Sequence, residues 1–302
     1  MNSPIDWRNL DVAQRLKELA HTEIVDISDC LEDYYKLLEA EKTDGILMPW
    51  SKLHGLFDLK PSTLSMLIGY SGHFKSTIAS QIILSAIQQG KTVGLASLEL
   101  TKGQIYQQLV DIASTTGNPS KAWCQRFNNH IKGKLKVYDR IDAIRPEDAT
   151  SMAFAMHDMG CDLIVLDALM MCGLDTEDYG AEKVFSQQIQ AIAKMTGRAI
   201  LMLHHCKKPQ GVKGQQEIPD KYSAMGSSNL SNICNNILVV WHDKEKAHQI
   251  NAGMPPEDDK PDLIFEVDKH RGGRFEGQVG LYQHRQCRAF CGDRSRRYEP
   301  VL

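Results

Sequence analysis

The chain has no long apolar run, no paired cysteine motif and no excess of positive charge, and each absence removes a class of function. Its longest apolar stretch, residues 163–174, is interrupted by Asp167 and falls well short of the roughly 20 residues that a bilayer-spanning helix requires. No membrane helix and no membrane partner are expected. The opening residues, MNSPIDWRNLD, lack the basic start and apolar run of a signal peptide, so the chain is expected to stay in the compartment where it is made, cytoplasmic and reducing. Eight cysteines, at positions 30, 124, 161, 172, 206, 234, 287 and 291, form no C-x-x-C pair and read as free thiols. Cys287 and Cys291 with the nearby His284 lack the tighter paired spacing of a zinc clip. With Lys+Arg at 35 against Asp+Glu at 38, a net charge of -3, no global basic field draws the molecule to nucleic acid, so any such contact has to be local. No internal repeat is visible.

What is present fits a globular protein with a full core: 302 residues, 42% hydrophobic and 24% charged, favour one large α/β domain. Residues 11–42 are charged and helix-forming, with Leu31, Tyr34, Tyr35 and Leu38 at helical spacing and Ser28 or Asp29 placed to cap, which predicts an amphipathic N-terminal arm over residues 1–44. From 45 to 302 the pattern changes. Apolar runs at 64–68, 93–98, 135–138, 163–166, 199–203, 237–241 and 263–267 read as strands, and 75–89, 103–114, 146–159 and 182–195 as helices, with Pro146 in a first turn. Continuous apolar strands in βαβ order predict a mainly parallel central sheet covered on both faces. The least structured stretch, 207–226, is a long polar loop of the kind that usually carries function.

After the first of these strands comes Gly69-Tyr70-Ser71-Gly72-His73-Phe74-Lys75-Ser76-Thr77 and then an apolar helix. A Gly-rich turn, a Lys, a hydroxyl and a helix N-terminus make a phosphate cradle, in which Lys75 reaches the outer phosphates and Ser76 can ligate Mg²⁺. The alternative is an ordinary βα loop. Phe74 stands where a glycine normally precedes the Lys; if its backbone adopts a conformation open to ordinary residues, the ring covers the phosphates or packs on the sheet. Strand 163–166 ends at Asp167, where a P-loop fold holds Mg²⁺ through a carboxylate. Strand 93–98 ends at Glu99, placed either to activate a water against a γ-phosphorus or to cap the helix beginning near Thr101.

The order of these segments, followed by Leu203-His204-His205-Cys206-Lys207-Lys208-Pro209, Gly226-Ser227-Ser228-Asn229-Leu230 and Lys269-His270-Arg271-Gly272-Gly273, resembles the RecA-like ATPase core of DnaB-like hexameric replicative helicases. Within that group it looks closest to the phage primase-helicase and Twinkle branch. The resemblance covers about residues 45–292. It implies ATP and Mg²⁺ as nucleotide and cofactor, Lys75 and Ser76 on phosphate and metal, Glu99 as catalytic base and Asp167 as the metal-linked acid. His205 becomes the γ-phosphate sensor and His204 its buried neighbour, although a His pair at a strand end is otherwise structural. Lys269 and Arg271 become fingers that reach a neighbouring subunit's nucleotide, which requires a homo-oligomeric ring, and no other Arg stands near the P-loop segments; the plain alternative is a solvated basic strand end. Lys207, Lys208, Lys213, Lys221, Gly226 and Ser227 would face single-stranded DNA, where small residues, amides and a few lysines track phosphates without reading bases. A lysine-bearing loop can also simply be solvated.

The resemblance therefore implies an ATP-dependent replicative DNA helicase. The arm corresponds in position to the family's linker helix, and with no room for a primase, priming is expected from a separate protein. Two other classes remain open: a RecA- or KaiC-like regulatory ATPase or recombinase without unwinding, and a nucleotide-dependent binding module or helicase loader in which Phe74 has disabled hydrolysis.

Overall fold

The computed structural model describes residues 26–43, 45–140, 144–168, 172, 179–207, 217–225, 229–254 and 260–298. The chain divides into two units, Met1–Asp44 and Gly45–Leu302. In the first, a short 3₁₀ turn, Ile27–Cys30, leads into helix α1, Leu31–Thr43. The cap is Asp26 and not Ser28 or Asp29: its Oδ1 accepts the Ser28 N–H at 2.9 Å, so the chain enters the turn two residues earlier than the spacing suggested. Leu31, Tyr34 and Tyr35 are exposed. Residues 1–25 and 44 of the predicted arm lie outside the described residues.

The second unit opens with a small antiparallel pair, β1 (Ile46–Leu47) and β2 (Asp58–Leu59). The main sheet then takes β3 (Leu64–Gly69), β4 (Val93–Ser97), β5 (Leu135–Val137), β6 (Leu163–Asp167), β7 (Ala199–His205), β8 (Asn236–His242), β9 (Leu263–His270), β10 (Gly277–Gln283) and β11 (Phe290–Cys291). Their spatial order is β11-β10-β9-β8-β3-β7-β6-β4-β5. The six strands from β8 to β5 pair in parallel, and β9, β10 and β11 extend the sheet antiparallel. The predicted mainly parallel sheet is present. Of these three strands the apolar pattern indicated only β9, because β10 (Gly277–Gln283) is half polar and glycine-rich.

Side chains on a strand alternate between faces, and here the alternation builds two cores. Leu163 and Val165 of β6, with Leu201 and Leu203 of β7, face helices α2 (Lys75–Gln88), α3 (Lys102–Ser114) and α4 (Lys121–Ile131). Ile164, Leu166, Ile200 and Met202 face α5 (Pro146–Asp158) and α6 (Tyr179–Thr196). Both faces need apolar residues, so the strands read as unbroken apolar runs. Each fully buried Leu or Ile contributes about 1.5–3 kcal/mol. Two further short helices, α7 (Asn229–Ile233) and α8 (Lys244–Asn251), complete the unit. Among the described residues no helix is long and apolar enough to cross a membrane.

Candidate nucleotide site

Parallel register brings the chemistry to one edge. Gly69 of β3 pairs with His205 of β7, and Ser97 of β4 pairs with Asp167 of β6, so four strand ends finish side by side where α2 begins. Open α/β sheets bind ligands in this position, outside the carboxyl ends of the strands. A Cβ on Gly69 would lie 2.5 Å from the carbonyl oxygen of Val240 on β8, so only glycine lets the loop leave the sheet there. Gly72 sits at φ +75°, a left-handed turn residue.

A cavity of about 320 Å³ is lined by Ser71, Gly72, His73, Phe74, Lys75, Ser76, Thr77, Glu99, Asp167 and His205. The sequence predicted each of these as a site residue, and the fold brings them together. Lys75 is buried; its Nζ donates to the carbonyls of Gly69 at 2.9 Å and Tyr70 at 3.0 Å and lies 3.3 Å from His205 Nδ1. An ammonium has three donors and no acceptor, so His205 is neutral and accepts there. Burial lowers the Lys75 pKa, while the acids Asp167 and Glu99 oppose the shift. His205 is lowered too, first by burial and then by Lys75.

Burial pushes the Asp167 carboxyl up to about 6, against a hydrogen bond from Ser76 that lowers it. Ser76 and Asp167 thus offer adjoining oxygens, the donor type that a hard divalent cation takes, and the pair fits Mg²⁺. Glu99 is exposed at the cavity wall and does not cap α3. The cap is Thr101, whose hydroxyl accepts the Gln104 N–H at 3.3 Å while Gln104 Oε1 accepts the Thr101 N–H at 2.9 Å.

Two features, Phe74 and the Arg content of the site, differ from expectation, and the His73 side chain has a structural contact besides lining the cavity. Phe74 has φ 64° and ψ 23°, the left-handed conformation that favours glycine and not one open to ordinary residues. Its ring meets His242 at 4.8 Å and Phe290 at 5.2 Å, both edge-on, so it packs on the antiparallel side of the sheet. His73 is fully buried and its Nδ1 accepts the His242 N–H at 3.0 Å, which ties the loop to β8. Finally, an Arg does stand at this site: Arg288, far along the chain, lines the cavity. Sequence spacing gave no sign of it, because β10 and β11 return to the P-loop only through the antiparallel extension.

His204 is buried, its Nε2 2.8 Å from the Met225 carbonyl, and burial drops its pKa to about 4. Beyond His205 the polar loop is pinned at both ends: Met225 N–H donates to His205 O at 2.8 Å, and Lys207 N–H donates to Ser223 O at 2.8 Å. Lys208, Lys213, Gly226 and Ser227 lie outside the described residues. Lys221 is described; its backbone N–H donates to Asp268. Lys269 Nζ donates to the carbonyls of Ser231 at 2.5 Å, Cys234 at 2.8 Å and Asn232 at 3.2 Å, closing the end of α7. Arg271 Nη2 donates to Asn232 O at 2.9 Å and is exposed. Neither lines this cavity of its own chain.

The family model described as AAA domain matches residues 53–211. Two solved structures share the fold. One, described as an ATPase domain, superposes with a TM-score of 0.73 at 14% identity, covering 89% of this chain and 99% of that one. The other, described as a DnaB-like replicative helicase and its interactions with primase, gives 0.70 at 15% identity, covering 93% and 71%. The fold is therefore that of RecA-like helicase ATPase domains. No curated protein sequence matches the chain.

Proposed function

The chain belongs to the AAA domain family of ATPases, and we propose that it is the motor of a replicative DNA helicase, a homo-oligomeric ring that hydrolyses ATP while moving on single-stranded DNA. The observation that carries this reading is the convergence of Lys75, Ser76, Glu99, Asp167 and His205 on one cavity, with the polar loop leaving directly from β7. In that cavity Lys75 and the amides of residues 71–77 bind the phosphates, a task suited to a helix N-terminus. Ser76 and Asp167 hold Mg²⁺, which neutralises charge on the phosphate oxygens when bound. Glu99 takes a proton from water as the water oxygen bonds to the γ-phosphorus and the bond to the bridging oxygen of ADP breaks. His205, sharing Lys75 and the start of the loop, links the phosphate end of the cavity to residues 207–226.

In this reading Lys207, Lys208, Lys213, Gly226 and Ser227 face DNA, Arg271 reaches the neighbour's nucleotide, and Lys269 anchors the Arg271 segment to α7. Residues 1–44 act as the oligomerising arm, and a separate primase supplies primers. Strand-displacement and DNA-stimulated ATPase assays on the full chain test the proposal. Turnover with no strand released points to a regulatory ATPase or recombinase. Absence of turnover points to a binding module, a reading favoured by one observation, the left-handed Phe74 in the P-loop.

A further inference from the structure

The phosphate cavity holds a second cation that the P-loop pattern does not supply. Arg288 lines the same cavity as Lys75, Glu99, Asp167 and His205. It is exposed, and it makes no hydrogen bond or ion pair with a described residue. Lys75 differs: its three donors already meet two carbonyls and His205. Lys244, also near the loop, donates to the Ser71 carbonyl at 3.3 Å. Among the described residues lining the cavity, Arg288 is thus the cation with its donors unengaged.

Its mounting is rigid although its side chain is exposed. The next residues, Ala289 and Phe290, are fully buried. Phe290 N–H donates to Gln81 Oε1 at 2.9 Å, and its carbonyl accepts Gln81 Nε2 at 3.0 Å and Trp50 Nε1 at 2.8 Å. Gln81 stands on α2, the helix that Lys75 opens. The Phe290 ring meets Phe74 of the loop itself at 5.2 Å. Two residues after Arg288, the chain of the same subunit is thus held to α2 by two hydrogen bonds, to Trp50 by a third, and to the phosphate loop by a ring contact. A guanidinium presented in this way offers two parallel N–H donors to one phosphate group.

We propose that Arg288 binds the terminal phosphate of the nucleoside triphosphate held by its own subunit. The proposal rests on reading this cavity as the ATP site and adds a cis-acting ligand to it. The test is a titration of the full-length chain, in Mg²⁺, with fluorescent ATP and ADP analogues, for the wild type, Arg288→Ala, Arg288→Lys and Lys75→Ala. Losing a charge-assisted pair to the end phosphate should weaken ATP about 10- to 100-fold and ADP less than about threefold, with Arg288→Lys recovering part of the loss. ATP affinity within about twofold of wild type, or equal losses for ATP and ADP, would overturn it. Arg288→Gln, closer in size, repeats the comparison should the alanine variant melt below wild type without nucleotide. Lys75→Ala separates the two claims: if it loses ATP and Arg288→Ala does not, only the Arg288 assignment falls. If wild type binds no ATP, or Lys75→Ala binds it normally, the nucleotide reading falls as well and takes this assignment with it.

Discussion

Burial raises the proton affinity of Asp167 to about 6, well above the roughly 3.9 of a free Asp. Between about pH 4 and 6 the folded chain therefore holds a proton that the unfolded chain has released, so stability falls as pH rises through that window and stays reduced above it. Asp167→Asn keeps the shape and removes the charge. Without nucleotide, it should melt above wild type at pH 7.5, by on the order of 1–3 kcal/mol, with the gap closing towards pH 4. It should also lose the stabilisation that Mg²⁺-ATP gives the wild type. Equal melting at both pH values would remove the buried-charge account. Lys75 and Glu99 divide differently: Lys75→Ala should lose nucleotide binding, whereas Glu99→Gln should keep it and lose turnover, because a base acts on the transition state. Equal loss of binding in both would mean that Glu99 is not the base. Phe74 sets two terms against each other. A left-handed non-glycine residue costs about 1–2 kcal/mol, and the ring contacts with His242 and Phe290 offset that. Phe74→Gly should lower stability by only about 1 kcal/mol and leave Mg²⁺-ATP affinity within about tenfold; activity gained from near zero would instead favour the disabled-module reading.

At the scale of elements, strands buried on both faces were readable because apolar residues of β3, β6 and β7 alternate between two cores, which leaves a nearly continuous apolar run in the sequence. The site followed for the same reason: Glu99 and Asp167 stand immediately after such runs and Lys75 one short Gly-containing loop after another, and parallel register does the rest. What could not be read lies towards the two edges of the sheet, beside β5 and on the antiparallel side. α4 (Lys121–Ile131) is polar over most of its surface, with Phe127 and Ile131 as its buried residues. β10 (Gly277–Gln283) alternates weakly, and Arg288 comes to the P-loop only through pairing about 200 residues away in sequence, as the Gln81–Phe290 bonds record. Side-chain direction was equally hidden: nothing in Gly-His-Phe-Lys distinguishes a His73 turned into the sheet from one facing phosphate. The loop after β7 carries its own expectation. Its ends are zipped together beside His205 by the Met225–His205 and Lys207–Ser223 bonds. Replacing Lys207, Lys208 and Lys213 together by Ala should weaken single-stranded DNA binding and flatten its salt dependence, by roughly 0.7 in log–log slope for each phosphate no longer neutralised. ATP binding should change little. An unchanged DNA affinity and slope would locate DNA elsewhere or nowhere on this protein.

For the whole molecule, the question is whether one subunit can complete its own site. Lys269 and Arg271 both hold the end of α7, and neither lines the cavity of its own chain, so a finger role for Arg271 has meaning only between subunits. The two cations Arg271 and Arg288 then make opposite forecasts in a ring. A site assembled from Lys75, Glu99, Asp167 and Arg288 of one subunit and Arg271 of the next can be rebuilt by mixing subunits whose defects fall on opposite sides of the interface. Arg271→Ala subunits and Lys75→Ala subunits, each inactive alone, should form mixed rings in which some interfaces pair an intact P-loop with an intact finger. Those interfaces should regain a fraction of the DNA-stimulated ATPase. Arg288→Ala mixed with Lys75→Ala should regain no more than the Arg288→Ala subunits contribute alone, because both defects lie on the same side and no new intact site arises. ATPase is the readout and unwinding is not, since a ring whose sites fire in strict sequence can hydrolyse at one rebuilt interface without advancing. No recovery for Arg271 with Lys75, in rings whose mixed composition is established by mass, would return Arg271 to the solvated end of a strand; recovery for Arg288 with Lys75 beyond that baseline would move Arg288 across the interface.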